Sequence, residues 1–462
     1  STSNSSATQT ALYRAVWRWH FLAGLFALPI LLNMAITGGL YLFAPEISHV
    51  LYSSLEDVLP AAGDAPLAAS VLVQKTAAAT NSEVSLLTLP AGPDKSVQML
   101  IKTPSGESRT AFVDPYDGWL IGTIPVGGVM QIVRKIHSLQ YFGFWASCLV
   151  EIAAGWAIVL ALSGIFLWWP RGRSGGVVTI RATPKFRTFW RDLHAVTGLF
   201  ACSVIVFLAV TGMPWSMVWG RYVQQWTTDA GLGQPKPPVE VEPDWKLAGS
   251  HSMHAGHVHG GGGAAGTLPW ALEKAVPPES APTTKVPITL DQALAIFADL
   301  GLKKPFSFAL PQGPKGAYTA TSRPNHVEDT RTVYLDQYSG KVLGDVGFAQ
   351  YGPAAKAFEW GIAVQQGQEY GALNRYVMLG GCIAVVLLTI SAPATWWKRQ
   401  PKGSFGLPPA ASRRAALTVL AVMAISGLIY PLVGLSMLAA LLFERLYDLT
   451  RRGFEGRARV PQ

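Results

Sequence analysis

Two histidines lie at the start of long apolar segments, where an ionisable side chain is unusual. His20 stands in RWHFLAGLF (Arg18–Phe26), and His194 stands in RDLHAVTGLF (Arg191–Phe200). Ionisable groups at membrane depth are rare and are functional candidates by default. Two imidazoles that face each other across a helix bundle suit a b-type haem, because each ring can supply one axial nitrogen. The alternative is that both are interfacial residues satisfied by headgroups or backbone carbonyls.

The residues around the two histidines fit a haem. Gly24 and Gly198 follow the histidines by about one helical turn and would let a flat macrocycle approach the backbone. Arg14, Arg18 and Arg191 could pair with haem propionates. Zinc is the weaker interpretation, because no Cys, Asp or Glu is placed to complete a tetrahedral set.

Helices that cross a membrane must position these residues. Of the 462 residues, 50% are hydrophobic and 14% are charged. Five segments carry no Asp, Glu, Lys or Arg: Phe21–Phe43, Ile152–Trp169, Ala195–Gly220, Tyr376–Trp397 and Ala415–Phe443. A spanning helix needs about 20 apolar residues, so the first four are predicted spans. The fifth contains Pro431 and is either one kinked helix or a tight hairpin of two short ones.

Basic residues next to the spans predict the orientation. They cluster before the first span and on two short connections: Arg14, Arg18; Arg171, Arg173, Arg181, Lys185, Arg187, Arg191; Lys398, Arg399, Lys402, Arg413 and Arg414. The positive-inside rule places the N-terminus and these connections in the cytoplasm, and the long segments 44–133 and 221–359 outside. The net charge of +9 reflects this topology and implies no nucleic-acid partner.

The chain contains an internal duplication. Four residues of the first span recur in the third at an offset of 174 positions: His20, Gly24, Thr37 and Gly38 as His194, Gly198, Thr211 and Gly212. The second span recurs in the fourth at an offset of 228: His137, Gly143, Ser163, Trp168, Trp169 and Arg171 as Gln365, Gly371, Ser391, Trp396, Trp397 and Arg399. All of these are identities except that Gln365 replaces His137.

The outer segments repeat as well. FVDPYDGWLIG (Phe112–Gly122) and YLDQYSGKVLG (Tyr334–Gly344) share Asp-x-Tyr-x-Gly-x-x-x-Gly. Each pattern predicts a strand, a turn at its first glycine and a second strand. A predicted helix precedes each, at about 68–79 and at Leu290–Gly301. Each repeat is therefore a span, a small α+β domain and a second span.

His137 is predicted near the outer face, where its repeat mate would supply the second ligand of an outer haem. Gln365 stands there instead, and an amide is a poor axial ligand. Three alternatives stay open: the outer site is five-coordinate, it recruits His49 or Met130, or it is lost. His49 is otherwise a solvated loop residue. Glu151 is either an interfacial carboxylate or a contact for a proton or metal complex.

A histidine-rich tract lies in the second outer segment. HSMHAGHVHGGGG (His251–Gly263) holds four histidines, namely His251, His254, His257 and His259. This composition is typical of a site for copper, nickel or zinc, and equally of a weak, disordered tract without a role in turnover.

The predicted fold class is an α-helical membrane bundle with two small periplasmic α+β domains. In order, its parts are a polar tail (1–13), the first span (14–44), the first domain (45–133), the second span (134–171), a cytoplasmic loop (172–190), the third span (191–220), a segment (221–359) with the His-rich loop (228–286) and the second domain, the fourth span (360–399), a loop (400–414), the C-terminal helix or hairpin (415–447) and a basic tail (448–462).

Several motifs resemble the PepSY-associated transmembrane family of iron-regulated inner-membrane proteins, which includes periplasmic ferric-siderophore reductases. They are RWHFLAGLF, ITGGLYLF (Ile36–Phe43), HSLQYFG (His137–Gly143), LSGIFLWWPR (Leu162–Arg171), RDLHAVTGLF, WGIAVQQGQEYG (Trp360–Gly371) and WWKRQPKGSFGLPP (Trp396–Pro409). The resemblance implies two PepSY domains and b-type haems held by membrane histidines, which are His20, His137 and His194 here. Gln365 departs from the histidine usual in the fourth span, so the second haem stays open.

The activity implied by the resemblance is electron delivery across the membrane to a periplasmic ferric chelate, with release of Fe(II). The cytoplasmic connections are too short for a flavin or nicotinamide domain and show no Rossmann or P-loop fingerprint, so the donor is a separate reductase or a quinol. Two other functions stay open. One is a non-enzymatic PepSY regulator that binds a peptide or protease, and the other is a metal-handling protein that uses the His-rich loop.

Overall fold

The computed structural model describes residues 2–60, 65–170, 177–233, 272, 277–284, 286–400, 421 and 424–443. They form two compact units. The helical unit takes its described residues from Ser1–Gly39, Lys135–Gln224 and Val377–Gln462. The sheet unit takes them from Leu40–Arg134 and Gln225–Tyr376.

Helices account for more than half of the described residues. They are α1 (Thr2–Tyr41), α2 (Ala44–Glu56), α3 (Ala69–Thr80), α4 (Gly128–His137), α5 (Phe144–Trp168), α6 (Arg187–Gly212), α7 (Trp219–Asp229), α8 (Leu290–Asp299), α9 (Pro353–Gln365), α10 (Gly371–Trp397) and α11 (Pro431–Phe443). Four are long and apolar enough to cross a membrane: α1 from Ala11, α5, α6 with its extension to Trp215, and α10. This confirms the four predicted spans.

Small residues let the helices of the helical unit approach closely. Ala23 and Ala27 of α1 pack with Trp156 of α5 and with Val433 and Met437 of α11. Many larger apolar side chains on the spans point outward instead. Phe200, for example, is 69% exposed. Such exposure is expected of side chains that face lipid, where apolar surface needs no protein cover.

The C-terminal apolar segment is bent sharply. A helical stretch over 424–429 ends at Tyr430, and α11 begins at Pro431. A Cβ added to Gly427 would lie 2.9 Å from the Cα of Gly434. Seven residues of straight helix span about 10 Å, so the chain folds back on itself at the proline. Of the two alternatives, the structure has two short helical segments joined by a tight bend.

The second and fourth predicted spans each consist of two helices. Leu139 and Gly143 adopt left-handed conformations between α4 and α5, and Gly367 and Gly371 do so between α9 and α10. Because these residues interrupt the helical hydrogen bonding, α4 ends at His137 and α9 ends at Gln365. Both repeat-related positions are thus helix C-termini.

The sheet unit contains one eight-stranded antiparallel sheet. Its strands are β1 (Glu83–Leu89), β2 (Val97–Lys102), β3 (Ser108–Val113), β4 (Leu120–Pro125), β5 (Phe306–Ala309), β6 (Ala317–Ser322), β7 (Arg331–Asp336) and β8 (Val342–Gly347). Their order is β4-β3-β2-β1-β5-β6-β7-β8. Helices α3 and α8 pack over one core that includes Leu72, Leu87, Phe297 and Phe308.

The predicted strand–turn–strand patterns are confirmed. Gly118 joins β3 to β4 with φ of 74°, and Gly340 joins β7 to β8 with φ of 70°. The predicted α+β domains, however, are not separate. Leu86 to Leu89 of β1 pair with Ala309 to Phe306 of β5, so the two halves share a sheet. This pairing satisfies the backbone groups of two strands that would otherwise be exposed edges.

Candidate cofactor site

His20 of α1 and His194 of α6 lie side by side in the helical unit. Their ring centres are 6.3 Å apart, and the ring planes are nearly perpendicular, at 86°. Both side chains are partly buried. The histidines that the sequence placed at equal depth therefore have rings close enough to act on one group.

Each of these rings is held by a serine from another helix. The Nδ1 atom of His20 is 2.8 Å from Ser163 Oγ on α5, and the Nδ1 atom of His194 is 3.1 Å from Ser391 Oγ on α10. The same contact thus occurs at repeat-equivalent positions. Because Nδ1 is engaged in both rings, Nε2 is the nitrogen that could bind a metal.

Gly164 lies against a histidine ring, whereas Gly24 and Gly198 lie against leucines. A Cβ added to Gly164 would lie 3.4 Å from His20 Cε1, so this position leaves little space for a side chain. Gly24 packs against Leu160 at 3.9 Å from an added Cβ, and Gly198 packs against Leu388 at 3.7 Å. The two glycine–leucine contacts are repeat-equivalent, and they keep the backbones near the histidines close together.

The three arginines predicted to pair with propionates have different environments. Arg18 is buried and Arg14 is exposed. Arg191 pairs with the fully buried Asp192, which also accepts from Arg181 Nε at 2.9 Å. Of the three arginines predicted to pair with propionates, Arg191 is therefore committed to a carboxylate within the protein.

Arg399 is a further cation near the pair that the sequence did not single out. Its guanidinium lies 4.5 Å from the ring centre of Trp17 and 5.8 Å from that of Phe21, the neighbour of His20. Burial and the nearby Arg187 lower the pKa of Arg399. Because burial and a like charge disfavour the positive charge of Arg399, an anionic group beside it would be stabilised.

His137 ends α4 and contacts α1. Its Nδ1 atom is 2.8 Å from Thr37 Oγ1, and Asn33 Nδ2 donates to the Ile136 carbonyl at 3.0 Å. A Cβ added to Gly38 would lie 3.5 Å from His137 Cε1. Because Thr37 engages Nδ1, Nε2 is the nitrogen of His137 that could bind a metal.

The three proposed outer partners of His137 belong to the sheet unit. Gln365 is the last residue of α9. Met130 is buried on α4, two turns before His137. His49 is half exposed and forms ion pairs with Glu56 at 3.4 Å and with Asp57 at 3.8 Å. His49 is therefore engaged with carboxylates on its own surface.

Glu151 has a structural role. Its side chain is fully buried, and its carboxylate accepts hydrogen bonds from the backbone N–H groups of Val218 at 3.0 Å and Trp219 at 3.2 Å. These groups are the start of α7, where N–H donors have no partner within the helix. The carboxylate therefore caps α7 inside the protein, a role that neither sequence interpretation gave it.

The four histidines at 251, 254, 257 and 259 lie outside the described residues. Within the part of the chain that the structure describes, no group of three or more His, Cys, Asp or Glu side chains could hold a metal ion. The histidine pair is thus the arrangement that offers ligands to one central group.

The hydroxyl partners of the histidines were missed as site residues. Ser163 and Ser391 were visible in the sequence as identities of the repeat, and Thr37 recurs as Thr211. That recurrence was the available signal, but the sequence does not show which side chains of different spans meet.

Comparison with known proteins identifies a family for this chain. A family model described as PepSY-associated TM region matches residues 17–399. The matched range includes both members of the histidine pair and both serines. No curated protein matches the chain.

Proposed function

The chain belongs to the PepSY-associated TM family and is a multi-pass membrane protein, and on this premise we propose that it holds a b-type haem between His20 and His194. In this proposal it delivers electrons across the bilayer to a ferric chelate. The observation that carries the proposal is the pair of rings with centres 6.3 Å apart. Rings this close could each offer a nitrogen to one metal ion, since imidazole nitrogens bind metals at about 2 Å.

The residues around the pair also fit the cofactor. His20 and His194 would hold the haem, which would supply an iron that accepts and releases one electron. Ser163 and Ser391 orient the two rings. Gly164 keeps space beside His20, and Arg399 offers a positive charge to a propionate.

The distribution of charge supports a membrane orientation. Basic residues flank the cytoplasmic ends proposed for the four spans, which favours a cytoplasmic N-terminus and a periplasmic sheet unit in a bacterial inner membrane. Repeat-equivalent contacts in both halves support an internal duplication. His20 contacts Ser163 as His194 contacts Ser391.

The proposed substrate is a ferric siderophore-type complex in the periplasm. One electron reduces its Fe(III) to Fe(II), and the hard oxygen ligands of the chelate then hold the iron less tightly. The electron comes from a separate donor, either a membrane quinol or a cytoplasmic reductase. A second haem ligated by His137 is the extension of this proposal, and Gln365 leaves its other axial ligand open.

The visible spectrum of the purified protein tests the proposal. We expect Soret and α bands in the reduced-minus-oxidised difference spectrum. His20→Ala and His194→Ala should each abolish the contribution of the inner haem, because each removes one axial ligand. His326→Ala is the control, since this ring is 63% exposed in the sheet unit and is not a proposed ligand, and it should leave the spectrum unchanged.

Two results would overturn the haem assignment. One is a wild-type protein without these bands, as the non-enzymatic regulator would be. The other is a His194→Ala protein that keeps all its haem with an unchanged spectrum. The pyridine haemochrome stoichiometry then counts haems, and a loss of one haem in His137→Ala would support the second site.

A further inference from the structure

The serines beside the histidine pair each make a second hydrogen bond. Ser163 Oγ donates to the Leu160 carbonyl at 3.2 Å, and Ser391 Oγ donates to the Leu388 carbonyl at 3.3 Å. Both bonds run back to the preceding turn of the serine's own helix. A hydroxyl has a single proton, so a serine that donates to its own carbonyl has only lone pairs to offer its histidine.

These serine contacts indicate which ring nitrogen of each histidine carries the hydrogen. With the hydroxyl proton placed on a carbonyl, Oγ can only accept, and Nδ1 of His20 or His194 must carry the hydrogen. In a neutral imidazole the other nitrogen, Nε2, then has the free lone pair that a metal requires.

The same pattern holds the third membrane histidine. Thr37 Oγ1 donates to the Asn33 carbonyl at 2.5 Å and lies 2.8 Å from His137 Nδ1. Each of the membrane histidines His20, His137 and His194 therefore lies beside a hydroxyl that donates its own proton to a backbone carbonyl.

Ser436 shows independently that such a hydroxyl accepts from a ring. Its Oγ donates to the Val433 carbonyl at 2.7 Å and accepts from Trp156 Nε1 at 3.0 Å. An indole N–H is only a donor, so the direction of this bond is certain. Ser436 is thus a matched example of the same geometry without a histidine.

We infer that Ser163 and Ser391 are positioning residues that fix the Nδ1–H tautomer of His20 and His194 and thereby set the reduction potential of the group bound between them. The inference rests on the proposed function. A ligating histidine that donates its other N–H becomes a more basic ligand. Greater basicity stabilises Fe(III) more than Fe(II), so the two hydroxyls lower the potential.

Replacement of either serine should therefore raise the potential. Loss of an outer hydrogen-bond partner commonly weakens metal binding by about 10- to 100-fold. If a tenfold loss falls on the oxidised state alone, the midpoint of a one-electron couple rises by about 59 mV. Ser163→Ala and Ser391→Ala act on different axial ligands, so we expect the double variant to show about the sum of the two shifts.

Optical redox titration of the purified haem-loaded protein tests this inference. Ser163→Thr keeps a hydroxyl that can bond the preceding turn, so it should restore the wild-type potential. Ser436→Ala removes a partly buried serine with the same backbone bond and should leave the potential unchanged. A rise in Ser163→Ala and Ser391→Ala, with rescue by threonine, supports the inference.

The positioning role of the serines and the binding of haem can be refuted separately. Alanine variants with full haem occupancy and unchanged potentials would overturn the positioning role alone. A wild-type protein that binds no haem would overturn the proposed function and this inference with it. Equal potential shifts in Ser436→Ala and Ser163→Ala would also overturn the inference, because the effect would then be general to buried serines.

Discussion

Replacement of Glu151 separates a structural from a chemical role for the buried carboxylate of α5. In Glu151→Ala, the N–H groups of Val218 and Trp219 lose an acceptor whose side chain is almost fully buried. An unsatisfied buried donor costs about 1–3 kcal/mol, so two of them cost about 4 kcal/mol. Glu151→Gln keeps an accepting oxygen but loses the charge that favours a helix N-terminus, which costs about 2 kcal/mol.

The assay is chemical unfolding in detergent micelles, followed by tryptophan fluorescence. Glu46→Ala is the control, because Glu46 is 52% exposed in its pair with Arg375 and such surface pairs contribute about 1 kcal/mol or less. We expect the order Glu151→Ala, Glu151→Gln, Glu46→Ala, from most to least destabilised. An alanine variant within about 0.5 kcal/mol of wild type would refute the capping role. A glutamine variant of normal stability that lacks the proposed reduction of an external chelate, when wild type shows it, would show that the carboxylate acts chemically.

Two further predictions concern packing and pH. A Cβ added to Gly155 would lie 2.2 Å from Val433 Cγ2. Gly155→Ala should therefore destabilise the helical unit by about 1–3 kcal/mol, as measured by the unfolding midpoint. Val433→Ala in the same protein should partly restore the stability, because it removes the clashing methyl groups. The Asp336 carboxylate accepts hydrogen bonds from Ser339 N at 2.7 Å, from Ser339 Oγ at 2.9 Å and from two other backbone N–H groups. Asp336→Ala should therefore lower the free energy of unfolding by about 3 kcal/mol. The repeat-equivalent Asp114→Ala is the control and should lower it by about 1 kcal/mol. Burial raises the pKa of Asp336, but these hydrogen bonds outweigh it and hold the pKa below its usual range. Its stabilising contribution is therefore complete above the unfolded pKa of about 3.9 and is lost as the pH falls through the lower folded value. A wild-type and an Asp336→Ala protein with the same acid dependence of unfolding would contradict this.

The spans and the turns could be predicted because their signals are local. An uncharged run such as Tyr376–Trp397 is long enough to cross a bilayer whatever surrounds it. Gly118 and Gly340 have positive φ values, which glycine adopts at little cost, so their turns follow from the residue type. The helix break after His137 was missed, because Leu139 adopts its left-handed conformation against its own preference.

The joined sheet could not be predicted, because strand pairing between repeats is a non-local choice. The pattern in each half specifies which faces of its strands are apolar, but it does not say whether β1 meets β5 or remains an edge. The bend in the C-terminal segment was likewise left between two alternatives. Proline weakens the helix at Pro431, and the packing of Val433 and Met437 against α1 and α5 accompanies the fold-back.

For the candidate site, the sequence by itself determined which histidines could act together. The duplication sets His20 and His194 at equal depth, and hydropathy makes both unusual. Only the tertiary structure decided that the rings lie 6.3 Å apart and that Ser163 and Ser391 hold them. The physical reason is that repeats and hydropathy specify position along each helix, whereas the rotation of one helix against another depends on packing between residues far apart in the chain. That packing also assigned Glu151 to the start of α7.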